Sequence, residues 1–132
     1  MPILTVKLGA PRAPQRTQAV ADMLLEHTER ILKKKRSVTA IVIEYIAPEH
    51  WLIAGRTLVE HGQSSVYVDI KITDETNTKD EKAQYIAEIF AGFERLIGPL
   101  HEESYIHVQD VRAAAYGYGG KTQEWRYQHP GG

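Results

Sequence analysis

Residues 1–12 read Met1-Pro2-Ile3-Leu4-Thr5-Val6-Lys7-Leu8-Gly9-Ala10-Pro11-Arg12, and they open the unit from which the fold is built. Apolar and polar residues alternate from Ile3 to Leu8, which is the period of a strand buried on one face. Leu4, Val6 and Leu8 are expected on the buried face. The prolines that follow postpone a helix until Pro14, a residue that suits a first helical turn.

The next residues predict a helix and then a second strand. The helix is expected from Gln15 to about Lys35, and its basic end, Lys33 to Arg36, complements the helix dipole. Its apolar face consists of Val20, Met23, Leu24, His27 and Ile31. The second strand is expected from Thr39 to Ile46. Because Ala40 to Ile43 is apolar on both faces, we expect this strand to be buried on both sides.

The second half of the chain repeats this pattern after a polar connection. It predicts a strand from Val66 to Thr73, a helix from Lys79 to about Ile97 and a strand from Tyr105 to Asp110. The apolar stripe of this helix is expected to be Ala83, Ile86, Ile89, Phe90, Phe93 and Ile97. The turn at residues 51–55 recurs at residues 116–120, an offset of 65, and the helix starts at 14 and 79 share that offset.

This repeat predicts one domain over residues 1–132, with units at about 2–60 and 66–125. The expected fold class is α/β, in a two-layer α+β form. Two tandem β-α-β units form a four-stranded sheet with both helices on one face, because right-handed crossovers place the helices on the same side. A symmetric partner is the simplest cover for the other face, so we expect self-association.

Composition excludes several classes of function. The 132 residues carry 16 basic and 17 acidic side chains, a balance that argues against nucleic acid as a partner. The absence of cysteine excludes disulfides and thiolate catalysis. No apolar run approaches the roughly 20 residues of a membrane span. No histidine pair has metal-ligand spacing, and no helix follows the glycines at 117–120 as a dinucleotide loop requires. We expect a cytoplasmic protein with no cofactor.

Pro2 is the residue on which the chemistry depends. If Met1 is removed, Pro2 carries a free secondary amine, which an internal proline lacks. A chain amine has a pKa of about 7.7–8.0, and an apolar pocket or a nearby cation lowers it toward the value that proton transfer needs. The alternative is that Pro2 is only a permissive second residue.

Three features together carry a resemblance to a known family. They are Pro2 at the start of a strand, Arg12 ten residues later, and the turn His50-Trp51-Leu52-Ile53-Ala54-Gly55 after the second strand. This pattern resembles the 4-oxalocrotonate tautomerase (tautomerase/MIF-like) superfamily, and the second half resembles another copy of the same unit. The resemblance implies a tautomerase-like fold, a homotrimer, and an isomerase that acts on a small 2-oxo or 2-hydroxy-dienoate carboxylic acid.

Site residues follow from the resemblance one at a time. Pro2 matches the catalytic base, and Arg12 matches the arginine that holds a substrate carboxylate. Trp51 stands where the family has an aromatic wall of the pocket, and Tyr116 repeats it in the second half. The alternative for both aromatic residues is packing at a turn.

The sequence also departs from the family pattern. The arginine of the second strand falls at Ala40. The loop after the third strand reads Asp74-Glu75-Thr76-Asn77, where the dehalogenase and decarboxylase members carry paired arginines. Tyr105 or His107 is a candidate hydrogen-bond donor in place of the missing arginine, unless both are polar residues of a half-exposed strand. A hydratase, dehalogenase or decarboxylase with Pro2 as general acid stays an alternative, as does a non-catalytic trimeric binding protein.

Overall fold

The computed structural model describes residues 2–131. The expected removal of Met1 therefore concerns a residue outside the described range. The elements are β1 (Ile3–Gly9), α1 (Pro14–Arg30), β2 (Ala40–Ile46), β3 (Leu52–Ile53), β4 (Arg56–Thr57), α2 (Leu58–His61), β5 (Ser65–Thr73), α3 (Lys79–Ile97), β6 (Tyr105–Val111), β7 (Gly117–Tyr118), β8 (Lys121–Thr122) and α4 (Gln123–Gln128).

A four-stranded sheet in the order β2-β1-β5-β6 forms one layer, and α1 and α3 form the other. β1 pairs parallel with β2, β5 pairs parallel with β6, and the antiparallel pair β1–β5 joins the two units at the centre. The predicted fold class is confirmed. The side chains of β1 and β5 that face the helices are fully buried: Leu4, Val6, Leu8, Val66, Val68, Ile70 and Ile72.

The 65-residue offset extends to the short elements. β2 and β6 begin at residues 40 and 105, β3 and β7 at 52 and 117, and α2 and α4 at 58 and 123. Thr57 and Thr122 are the N-caps of the two short helices, each accepting a hydrogen bond from a backbone amide. The bounds of the repeat units, about 2–60 and 66–125, stay a prediction.

Helix α1 is shorter than expected. It ends at Arg30, because Ile31 and Leu32 turn into the core and Lys33 adopts a left-handed conformation with φ of 60°. The basic run therefore lies in a loop, where the Lys34 ammonium donates to Thr76 Oγ1 at 2.8 Å. The predicted polar connection was also wrong in part, since residues 58–61 form α2 with a capping box between Thr57 and Glu60.

Helix α3 has its predicted bounds but a rotated buried face. Tyr85, Ile89, Gly92, Phe93 and Ile97 are buried, whereas Ala83 is exposed and Ile86 is 37% exposed. The apolar pattern missed Tyr85 because its ring carries a hydroxyl. The structure satisfies that hydroxyl with Thr28 Oγ1 of α1 at 2.8 Å, so the ring packs in the core without an unpaired polar group.

The sheet face opposite the helices, here called the open face, is not covered by any other element of residues 2–131. Burial of β2 on both sides was therefore a wrong prediction for the single chain, where Val42 is 54% exposed. The open face also carries Ile3 and Tyr67, which are 41% and 37% exposed, beside the charged pair of Asp69 and Lys71.

The Tyr85–Thr28 contact leads to a stability prediction. Tyr85→Phe should lower the free energy of unfolding by about 1–3 kcal/mol at neutral pH, because Thr28 loses its buried partner. Burial raises the pKa of Tyr85 to about 12, so its stabilisation is fully present below pH ~10 and is lost as the pH rises toward 12. Urea titrations at several pH values should show the difference between the two proteins shrinking above pH ~10. Tyr127→Phe, at an exposed ring, is the control, and an equal effect from both substitutions would contradict the account.

Candidate functional site

Pro2 lies in a pocket of about 350 Å³ at the edge where β1 and β2 begin. The pocket, here called the Pro2 pocket, is lined by Pro2, Ile3, Ser37, Val38, Thr39, Ala40, Tyr116, Gly117, Tyr118 and Gln123. Pro2 is buried, and its carbonyl accepts a hydrogen bond from the Ala40 amide at 3.2 Å. The first residue of the tautomerase-like pattern is therefore enclosed by protein.

Pairing of the strands explains the location of this pocket. Ile3 is in register with Ala40 in a parallel pair, so the residues that precede both strands meet at one edge of the sheet. The β7–β8 hairpin of the other unit closes the pocket, and its turn places Gly119 and Gly120 at φ of 62° and 79°. Such values favour glycine.

Tyr116 is held at the base of this hairpin. Its hydroxyl lies 2.9 Å from Thr73 Oγ1, and its carbonyl accepts from the Gln123 amide at 2.9 Å. Burial raises the pKa of the Tyr116 hydroxyl, so the phenol stays neutral at physiological pH. A neutral phenol is a potential hydrogen-bond donor to an oxyanion.

Neutral side chains form the lining of the Pro2 pocket within the described range. Directly behind it, the Arg126 guanidinium lies 3.8 Å from the centroid of the Tyr118 ring and donates to the Tyr118 carbonyl at 3.0 Å. Arg126 therefore fixes the orientation of Tyr118, one wall of the pocket. Among residues 2–131, no group of three His, Asp or Glu side chains is arranged to hold a metal ion.

A second pocket of about 390 Å³ lies at the opposite end of the sheet, where β5 and β6 begin, and combines residues of both units. It is lined by Lys7, Ile46, His50, Trp51, Leu52, Tyr67 and Tyr105. Three of these positions lie 65 residues from lining positions of the Pro2 pocket: Tyr105 from Ala40, Trp51 from Tyr116 and Leu52 from Gly117. A fourth, Tyr67, pairs with Tyr105 as the lining residue Ile3 pairs with Ala40. The two pockets are thus related by the internal repeat.

Within one chain, the site residues predicted from the sequence lie in four different places. Pro2 and Tyr116 share the Pro2 pocket, whereas Trp51 and Tyr105 line the second pocket. His107 lies on the open face, with Nδ1 3.9 Å from Asp69 Oδ1. Arg12 is exposed in the loop beyond the far end of β1. At about 3.3 Å per residue, β1 alone separates it from Pro2 of the same chain by roughly 20 Å.

Sequence reasoning missed several lining residues, chiefly Ser37, Thr39, Tyr118 and Gln123. Ser37 and Thr39 could have been found from the sequence, because they precede the second strand and parallel strands joined by a helix begin at the same edge of a sheet. Tyr118 lies in the β7–β8 hairpin and Gln123 begins α4, so both belong to the second repeat unit. Their position follows only from the antiparallel pairing of β1 with β5.

Solved structures share this architecture over nearly the whole chain. A wild-type fused 4-OT symmetric trimer matches with a TM-score of 0.79 at 15% identity, covering 92% of this chain and 96% of that one. Pt0534 inactivated by 2-oxo-3-pentynoate matches with a TM-score of 0.80 at 13% identity, covering 93% and 98%.

The macrophage migration inhibitory factor-like protein of Entamoeba histolytica matches with a TM-score of 0.76 at 16% identity, covering 92% of this chain and 97% of that one. The chain has the tautomerase fold. No protein-family model and no curated protein matches the sequence. The tautomerase fold therefore rests on the three-dimensional match. No helix among the described residues has the length and apolar character needed to cross a bilayer.

Proposed function

We propose that this protein is a tautomerase in which the Pro2 amine is the general base toward a small 2-oxo or 2-hydroxy-dienoate carboxylic acid. The observation that carries the proposal is the burial of Pro2 in a small pocket of neutral side chains at the start of β1. The similarity to tautomerase structures supports the same class of chemistry. Removal of Met1 and a cytoplasmic location remain part of the proposal.

The proposed reaction moves one proton. The Pro2 nitrogen takes the proton of the enol hydroxyl, and the protonated ring nitrogen returns a proton to a carbon of the conjugated system, which gives the 2-oxo acid. Tyr116, Tyr118 and Gln123 line the pocket and are the candidate hydrogen-bond donors to the oxygen that becomes negative. Neutral walls favour the uncharged amine over its protonated form before the substrate binds.

Hydration, dehalogenation or decarboxylation needs a group that activates water or holds a second charge. No carboxylate lines the Pro2 pocket within the described residues. Asp110, a carboxylate on β6, is paired with the Lys82 ammonium at 2.6 Å. These observations favour proton transfer over water activation. The alternatives are an enzyme that uses Pro2 as a general acid and a non-catalytic binding protein.

The proposal is tested by following phenylenolpyruvate and 2-hydroxymuconate spectroscopically for ketonisation, beside haloacrylates and acetylenic acids for hydration. We expect ketonisation alone. The related Pt0534 structure is of a protein inactivated by 2-oxo-3-pentynoate, and a free Pro2 amine should add to that conjugated triple bond. Hydration without ketonisation would favour the alternative enzymes, and neither reaction would favour a binding protein.

Arg12 keeps its proposed role only if it reaches the Pro2 pocket of a neighbouring chain. Arg12→Ala should then raise KM for carboxylate substrates by roughly 10- to 150-fold with a smaller change in kcat, because a charge-assisted hydrogen bond contributes about 1.5–3 kcal/mol. Arg12→Lys, which keeps the charge but loses the planar fork, should be intermediate. An unchanged KM for Arg12→Ala would exclude the clamp.

The proposed assembly is a homotrimer. The open face exposes Val42, and the edge strands β2 and β6 leave unpaired backbone groups that a ring of subunits can satisfy. The similar fused 4-OT structure is a trimer. Light scattering should report about three times the mass of the 14.9 kDa chain. A stable monomer or dimer at micromolar concentration would contradict the trimer and the neighbour-supplied Arg12.

A further inference from the structure

The second pocket has the size and the lining of a small-molecule site, and the proposed function makes no use of it. Its volume of about 390 Å³ lies within the roughly 300–1,000 Å³ typical of such sites. Four rings, those of His50, Trp51, Tyr67 and Tyr105, and two aliphatic side chains line it. Flat apolar walls of this kind suit a planar ligand.

Val66 occupies the position that Pro2 has in the first pocket, because Tyr67 pairs with Tyr105 as Ile3 pairs with Ala40. Val66 lies inside β5, so its nitrogen is an amide and cannot act as a base. The chemistry proposed for Pro2 therefore cannot occur in the second pocket. The repeat has preserved a cavity there without a group that could act as the base.

Lys7 is the only charged residue that lines the second pocket within the described range. In the single chain it is exposed, and its ammonium forms no hydrogen bond or ion pair with any described residue, although Glu44 and Tyr67 are its neighbours in the sheet register. A ring-lined cavity with one unpaired cation is complementary to a flat anion.

We infer that the second pocket binds a planar aromatic or conjugated carboxylate without transforming it. The carboxylate lies on the Lys7 ammonium, and the flat body lies against Trp51, Tyr67 and Tyr105. This inference does not depend on the chemistry of Pro2. It deals with binding at a different place in the same domain.

The test uses the full chain and two probes, trans-cinnamate and its neutral analogue trans-cinnamide, titrated by calorimetry. Cinnamate should bind at least about 10-fold more tightly than cinnamide, since only the acid gains the charge-assisted contact. Lys7→Met should remove that preference. Tyr67→Ser should lower the affinity for both probes, because it removes one of the aromatic rings that line the pocket. Lys121→Met, which removes a lysine on the hairpin of the Pro2 pocket, is the matched control and should leave both affinities unchanged.

Two further measurements separate this inference from the proposed function. Pro2→Ala should keep the cinnamate affinity even though it loses ketonisation, and light scattering should give the same mass for Lys7→Met as for the wild type. A preference for cinnamate over cinnamide that is unchanged in Lys7→Met, or that is lost in Pro2→Ala, would overturn the inference. Lys7-dependent binding in a protein without ketonisation would refute the proposed function alone.

Discussion

Pro2→Ala is expected to lower kcat/KM for ketonisation of phenylenolpyruvate by about 10²- to 10⁴-fold, the usual contribution of a positioned general base. The substitution removes the secondary ring amine. It keeps the carbonyl that accepts the Ala40 amide at 3.2 Å, so the start of β1 should stay paired. The free energy of unfolding should therefore change far less than the activity.

Pro11→Ala is the matched control for this substitution. Pro11 is exposed in the loop after β1, and its carbonyl accepts a hydrogen bond from Arg16. That carbonyl is kept, and activity should stay within a few-fold of the wild type. A Pro2→Ala protein with wild-type kcat/KM would refute the mechanism.

Gly117→Ala should have the second-largest effect on activity. A Cβ at Gly117 would lie 2.7 Å from Thr122 Cα and still closer to the Lys121 carbonyl oxygen. These are backbone atoms of β8, so the β7–β8 hairpin must open. A displacement of about 1 Å in a positioning wall can cost roughly 100-fold in rate. The core cluster contains none of the hairpin residues, and thermal unfolding should change little.

Gly120→Asn tests whether this effect is specific. Gly120 has φ of 79°, and a Cβ added there would meet no other atom within 4 Å. Asparagine tolerates such a backbone conformation better than most residues, so this variant should keep activity within a few-fold of the wild type. Equal losses for Gly117→Ala and Gly120→Asn would indicate general sensitivity of the turn and would contradict the account of the pocket wall.

Much of the fold was predictable from the sequence. The alternation of apolar and polar residues in β1 and β5 identified the buried faces of these strands. Gly98, with φ of 88°, ends α3 as expected. The errors occurred where tertiary contacts override local pattern. Burial of Ile31 and Leu32 and the left-handed Lys33 end α1 early, and the Thr28 hydroxyl allows Tyr85 into the core.

The candidate site was less predictable than the fold. Pro2 and Tyr116 were put forward by the sequence and share a pocket. Trp51 and Tyr105 were put forward for the pocket around Pro2, of this chain or of a neighbouring one, and within one chain they line the second pocket. A motif read along one unit cannot reveal this, because each pocket combines a strand start from one unit with the hairpin of the other. The role of Trp51 and Tyr105 toward a neighbour's Pro2 stays a prediction.

The most direct test of the central claim is the identity of the N-terminal residue in the purified, active protein. Intact-mass measurement with N-terminal sequencing should find a chain that begins at Pro2 with a free amine. If the active protein instead begins at Met1, the Pro2 nitrogen is an amide, it cannot accept a proton as a base, and the proposed mechanism is contradicted.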